Sequence, residues 1–89
     1  MSEKLTGKVA VVTGAVGLLG REHCLALGRA GASVVVADLD AARCEELAAS
    51  LAHECGTPVL GVGVEITDEA SVTALLERVQ RELGPVDVL

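Results

Sequence analysis

Lys8-Val9-Ala10-Val11-Val12-Thr13-Gly14-Ala15-Val16-Gly17-Leu18-Leu19-Gly20 decides the fold of this chain. Its first part, Lys8 to Thr13, is a nearly continuous β-branched run, the pattern of a strand buried on both faces. Glycines then fall at 14, 17 and 20, spaced GxxGxxG. Leu18 to Ala30 reads as a helix, with Gly31 placed to end it in a left-handed cap. The glycines therefore sit where a strand gives way to a helix. Gly14 permits a tight turn off the strand. Gly17 lets the backbone approach a pyrophosphate closely, and Gly20 lets the helix pack near the sheet. The helix N-terminus offers free N–H groups and roughly half a positive charge, which favour anions.

The alternation continues downstream. Ser33 to Ala37 is a second strand, and its run Val34-Val35-Val36 implies burial on both faces. Asp40 is a plausible N-cap for a helix from Ala41 to Cys55. Apolar residues at 44, 47, 48, 51 and 55 follow helical spacing there. Gly56 and Pro58 punctuate its end. Val59 to Val64 reads as strand three, loosened by Gly61 and Gly63. Thr67 is expected to cap a third helix, with Asp68 and Glu69 in its first turn, where the dipole favours negative charge. The stripe of that helix is Val72, Leu75, Leu76, Val79 and Leu83, and Gly84-Pro85 stops it. Val86 to Leu89 has the pattern of a fourth strand beginning. Strand and helix alternating with short joints predict an α/β fold with right-handed parallel crossovers. The expected architecture is the N-terminal half of a Rossmann-type doubly wound sheet, with strand one central in the order 3-2-1-4-5-6.

Composition bounds the function. The chain has 89 residues, room for one small domain, residues 1–89. A domain this size buries only about 60–65% of its unfolded surface, so its stability is thin. Hydrophobic residues make up 51%, with no Phe, Tyr or Trp, which suits covered strands and Ala-rich helices rather than disorder. The net charge of −6 and seven scattered basic residues argue against a nucleic-acid binder. No apolar run approaches the 18 or so residues of a membrane span, and the mixed-charge N-terminus is not a signal peptide. A cytoplasmic protein is expected. Cys24, Cys44 and Cys55 are odd in number and lack CxxC spacing, so reduced thiols are expected, not a disulfide framework or a zinc site. His23 and His53 lack usable ligand spacing, and no metal is assigned.

An acidic residue sharpens the glycine signal. Asp38 closes strand two, 18 residues beyond Gly20. There its carboxylate suits the hydroxyls of an adenine-bearing ribose. The same charge would repel a 2′-phosphate, and the nearest basic residue after strand two is Arg43, a turn into helix two. NAD is therefore expected over NADP.

Taken together the motifs resemble the short-chain dehydrogenase/reductase family over essentially the whole chain. The resemblance is carried by Lys8-Val-Ala-Val-Val-Thr-Gly and the glycine loop, then by a strand ending in Asp38. It continues through Glu65-Ile66-Thr67-Asp68 and Gly84-Pro85-Val86-Asp87-Val88-Leu89. It implies a nicotinamide dinucleotide cofactor and a full-length homo-oligomeric enzyme. It further implies that Gly14, Gly17, Leu18 and Leu19 line the phosphate and ribose side. Asp38 would hold the adenosine ribose, with Leu39 near the adenine and Glu65 and Ile66 against that ring. The chain departs from the family in two places. Many members space the loop GxxxGxG, and position 65 is more usually Asp, so the longer Glu65 is expected to alter the adenine contact.

The resemblance also implies catalysis by Ser, Tyr and Lys, with the Tyr as general acid/base. This chain contains no tyrosine, and its lysines are Lys4 and Lys8 alone. No catalytic residue is assigned. The family's Asn-Asn-Ala-Gly turn would begin just after Leu89. The leading expectation is thus the NAD-binding N-terminal part of an oxidoreductase that moves hydride between nicotinamide and an alcohol or carbonyl carbon. The chain alone is expected to be inactive and, with strand one poorly covered, prone to self-association. A non-catalytic nucleotide-binding or interaction module remains an alternative, as does a methyl transferase holding S-adenosylmethionine at a similar loop. No glycine is followed by Lys-Ser or Lys-Thr, which excludes a P-loop.

Overall fold

The computed structural model describes residues 4–87. Its elements are β1 (Val9–Thr13), α1 (Leu18–Arg29), β2 (Ser33–Asp38), α2 (Ala41–Cys55), β3 (Val59–Gly63) and α3 (Glu69–Glu82). The strands form one parallel sheet in the order β1-β2-β3. Val9 stands opposite Ser33 across the first pair, and Val34 opposite Val59 across the second.

The valine runs are buried because the sheet is covered on both faces. Ala10, Val34 and Val36 point to one side, where they pack with Cys24, Leu25, Cys44, Ala48 and Leu51 from α1 and α2. Val9, Val11, Val35 and Ala37 point to the other, against Val62, Val64, Leu75 and Val79. Burying one such side chain contributes about 1.5–3 kcal/mol. Successive residues of a strand face opposite ways, so a run of three valines serves both cores at once.

The glycines of β3 have a packing reason. Val59, Gly61 and Gly63 share the face that meets α2. A Cβ on Gly61 would collide with the Cys44 carbonyl and lie 2.8 Å from the Glu45 Cα; one on Gly63 would lie 2.8 Å from the Ala41 Cβ. These glycines do not loosen the strand, as its sequence suggests. They let the backbone of α2 settle directly on it.

Several element ends differ from expectation. β1 begins at Val9, β2 extends to Asp38 and β3 stops at Gly63. The N-cap of α3 is Asp68, not Thr67: its Oδ1 accepts from the N–H groups of Ala70 at 3.0 Å and Ser71 at 3.4 Å. Thr67 instead donates from its N–H and hydroxyl to Glu65 Oε1, at 3.2 and 2.9 Å. Leu76, expected in the α3 stripe, is 38% exposed, because the buried side of the helix runs through Leu75 and Val79.

The expected fourth strand falls partly on Val88 and Leu89, outside the described residues. Val86 and Asp87 are not in a strand. Asp87 nevertheless docks on β1: its N–H donates to the Val9 carbonyl at 2.9 Å, and its Oδ2 accepts the Val9 N–H at 2.9 Å. The Lys8 carbonyl points toward β2, where it accepts the Ser33 N–H. Backbone groups alternate along a strand, so Val9 and Asp87 meet on the edge away from β2.

Candidate functional site

The end of the sheet where β1 and β2 finish is shaped by three short joints. After Thr13 the chain turns at Gly14, whose φ of +66° is a left-handed value that a side chain disfavours. Ala15 follows, fully buried, its N–H donating to the Ala37 carbonyl at 3.2 Å. Gly17 then serves as N-cap of α1 with φ −73° and ψ 170°.

The first turn of α1 is unlike those of the other two helices. Asp40 accepts the Arg43 N–H at the start of α2, and Asp68 does the equivalent for α3. Gly17 has no side chain to do so, and no acidic residue lies in the first turn of α1. Among the described residues no N-cap side chain accepts from the first amides of α1, which stand in the positive field of the helix N-terminus.

The three glycines play different parts. A Cβ on Gly20 would stand 2.6 Å from the Ala15 Cα and 2.7 Å from the carbonyl oxygens of Gly14 and Ala15. Gly20 therefore lets the helix close onto its own entry loop, rather than onto the sheet as its position suggests. Gly17 has only the Gly14 carbonyl near its missing Cβ, at 3.7 Å, and Gly14 has nothing within 4 Å. The space over both is open, and a phosphate chain laid against this backbone would fill it.

Asp38 draws the joints together. Its Oδ2 accepts the Val16 N–H of the glycine loop at 3.3 Å, and its Oδ1 accepts the Leu39 N–H at 2.7 Å. Its carbonyl accepts the Val64 N–H at 2.8 Å, tying in the exit of β3. The residues expected around a dinucleotide thus converge from three strand ends. Leu18, Leu19, Leu39 and Ile66 are 82%, 72%, 67% and 64% exposed, large apolar side chains without protein cover. Glu65 is oriented otherwise than its sequence position suggests, since its carboxylate is engaged by Thr67 and its N–H donates to Ser71 Oγ at 3.0 Å. The bond between Asp38 and Val16 was not foreseeable from spacing. The only signal for it is an acidic residue ending β2 beside a glycine loop.

The thiols take no part in this end of the sheet as acids. Burial pushes Cys24 up to about 11 and also raises Cys44 and Cys55. For Cys44 the negative charge of Asp38 adds to the effect. Among the described residues, no group of three or more His, Cys, Asp or Glu is placed to hold a metal ion, and no helix is long and apolar enough to cross a membrane.

Known proteins share this fold. The chain is 39% identical over 89 residues to cis-4-hydroxycyclohexanecarboxylate dehydrogenase of Sinomonas cyclohexanicum, covering all of this chain and 35% of that protein. The crystal structure of hydroxysteroid dehydrogenase from Escherichia coli superposes with a TM-score of 0.89 at 33% identity, over 98% of this chain and 37% of that one. L-sorbose reductase from Gluconobacter frateurii, solved with NADPH and L-sorbose, gives 0.88 at 32% identity, over 98% and 33%. The chain spans about a third to a half of the length of the curated relatives it matches. The short chain dehydrogenase profile matches residues 8–89, so the strand ends, the glycine loop and Asp38 described above are those of a chain that belongs to the short chain dehydrogenase family.

Proposed function

We propose that this chain is the dinucleotide-binding part of an oxidoreductase, and that it prefers NAD to NADP. The observation that carries the reading is the uncapped N-terminus of α1, set beside a carboxylate that already holds the loop leading into it. In this reading the amides of Leu18, Leu19 and Gly20 receive the diphosphate over Gly14 and Gly17. Asp38 uses its remaining lone pairs for the ribose hydroxyls. Leu39 and Ile66 lie against the adenine, while Glu65 stays with Thr67 at the margin. The nicotinamide would supply a hydride acceptor or donor to an alcohol or carbonyl substrate. With no tyrosine in the sequence, residues 1–89 bind and orient the cofactor and perform no turnover.

The preference for NAD rests on Asp38, whose charge opposes a 2′-phosphate in a partly desolvated place. The chain is taken as cytoplasmic and, as a free piece, self-associating, since β1 has a strand partner on one edge only among the described residues. Calorimetric titration with NAD, NADP and ADP-ribose tests the reading. NAD and ADP-ribose should bind within about threefold of each other, because the residues present serve the adenosine half. Binding of NADP more tightly than NAD overturns the preference, and binding of none overturns the site.

A further inference from the structure

The loop that leaves β3 is closed by a circuit of hydrogen bonds before any ligand arrives. Val64 donates its N–H to the Asp38 carbonyl at 2.8 Å, which ties the start of the loop to the end of β2. Both main-chain groups of the next residue, Glu65, are then taken. Its N–H donates to Ser71 Oγ at 3.0 Å, and its carbonyl accepts the Asp68 N–H at 3.0 Å. Asp68 Oδ1 accepts in turn from the Ser71 N–H at 3.4 Å, so the path runs from Glu65 to Asp68 to Ser71 and back to Glu65. In a capping box the side chain three places after the N-cap reaches back to the N-cap N–H. Here that N–H is held by Glu65, and Ser71 reaches further back, into the loop itself. Ile66 lies inside this circuit with its side chain uncovered, 64% exposed.

We propose that Ser71 is a positioning residue for the dinucleotide: its hydroxyl fixes the loop at Glu65 and so holds Ile66 out as an apolar surface for the ligand's base. This rests on the dinucleotide site proposed above. Ser71 touches no ligand in this arrangement and acts through Ile66 alone. A loop ordered in advance spares the ligand the entropy of ordering it. The same circuit keeps the Glu65 carboxylate aside, since its Oε1 accepts from the Thr67 N–H at 3.2 Å and the Thr67 hydroxyl at 2.9 Å. The uncovered side chain inside the circuit is then the apolar one. Removing the Ser71 acceptor frees the Glu65 N–H, and residues 65–67 gain conformations that no longer present Ile66 in one place.

A double-mutant cycle tests the route through Ile66. NAD affinity is measured by calorimetry for the whole chain and for Ser71→Ala, Ile66→Ala and the double variant, well below each melting temperature. Each single variant should bind NAD at least fivefold more weakly. With Ile66→Ala already in place, adding Ser71→Ala should cost less than about twofold, because the side chain being positioned is gone. Ser71→Thr keeps the hydroxyl and should restore affinity to within about twofold of the native chain. Hydrogen exchange at the Glu65 amide should quicken in Ser71→Ala and not in Ser71→Thr. If Ser71→Ala loses its helical circular dichroism, Ser71→Cys replaces it, a side chain of similar shape but a weak acceptor, and must show the same dependence on Ile66. A lowered melting temperature with unchanged NAD affinity would make Ser71 a helix cap only and overturn the proposal. Equal losses with and without Ile66, or full affinity in Ile66→Ala, overturn it too while leaving the dinucleotide site intact. A native chain that does not bind NAD removes the site and this proposal with it.

Discussion

Asp38 Oδ2 accepts the N–H of Val16 at 3.3 Å, so the acidic end of one strand holds the glycine loop that follows its neighbour. The bond makes Asp38 structural before any ligand arrives. It sets the distance between the α1 N-terminus and the carboxylate, the two charges a dinucleotide would meet. Asp38→Ala should therefore lower stability by about 1 kcal/mol even without ligand, the value of a single hydrogen bond. Asp38→Asn should lower it by less. Urea melts of the two variants make the comparison; equal stabilities would show the bond to be idle.

Gly17 and Gly20 should separate folding from binding. Alanine at 17 meets only a carbonyl at 3.7 Å and an ordinary φ, so its melting temperature should stay within about 3 °C of the native chain. Its methyl group would nevertheless occupy the open face, and dinucleotide affinity should fall at least tenfold. Alanine at 20 lies 2.6 Å from the Ala15 Cα, against backbone that cannot swing aside. That variant should lose about 1–3 kcal/mol as well as binding. Thermal melts read against ligand titrations distinguish them.

Gly61→Ala probes how α2 sits on the sheet. The added methyl group meets the backbone of Cys44 and Glu45, so the helix must lift from β3, at a loss of about 1–3 kcal/mol or more. Gly56→Ala is the control. It is a left-handed C-cap at φ +73° with open space around it, and only the conformational penalty of about 1 kcal/mol applies. A smaller loss at 61 than at 56 would contradict the close packing.

Asp87→Ala removes the side-chain acceptor of the Val9 N–H. Leaving that donor without a partner on a half-buried edge should lower stability by about 1–3 kcal/mol. Hydrogen exchange at the Val9 amide should quicken more than at Ala10, which faces β2. Uniform quickening along β1 would mean the contact matters only globally.

The thiols give the chain an alkaline limit. Cys24 titrates at about 11 in the fold against an ordinary 9.0, because burial disfavours its thiolate. A raised value means the fold is favoured while the thiol stays protonated. That contribution is complete below pH 9 and is lost as pH climbs toward 11. Melting temperature should fall across that window, and Cys24→Ala should flatten the slope. An unchanged slope in that variant would place the alkaline loss elsewhere.

Much of this protein was legible along the chain because its signals are local. Three consecutive valines can be buried only in a strand covered on both sides, and α2 runs from Ala41 to Cys55, as its apolar spacing and its Asp40 cap imply. The strand-glycine-helix joint needs no tertiary information either, since φ +66° at Gly14 is a property of a turn. Contacts between distant residues were not legible. That Gly20 rests on Ala15, that Gly61 receives Cys44, and that Glu65 turns to Thr67 depend on where helices settle after the sheet has formed. Thr67 and Asp68 illustrate the boundary: both are good caps by composition, and only the path of the backbone after Val64 selects Asp68. The sequence by itself determined the alternation of elements and the chemistry at their ends, because propensity and periodicity act over a few residues. Tertiary structure decided which carboxylates are free to face a ligand, because a side chain bonds to whichever amide the packed chain brings within reach.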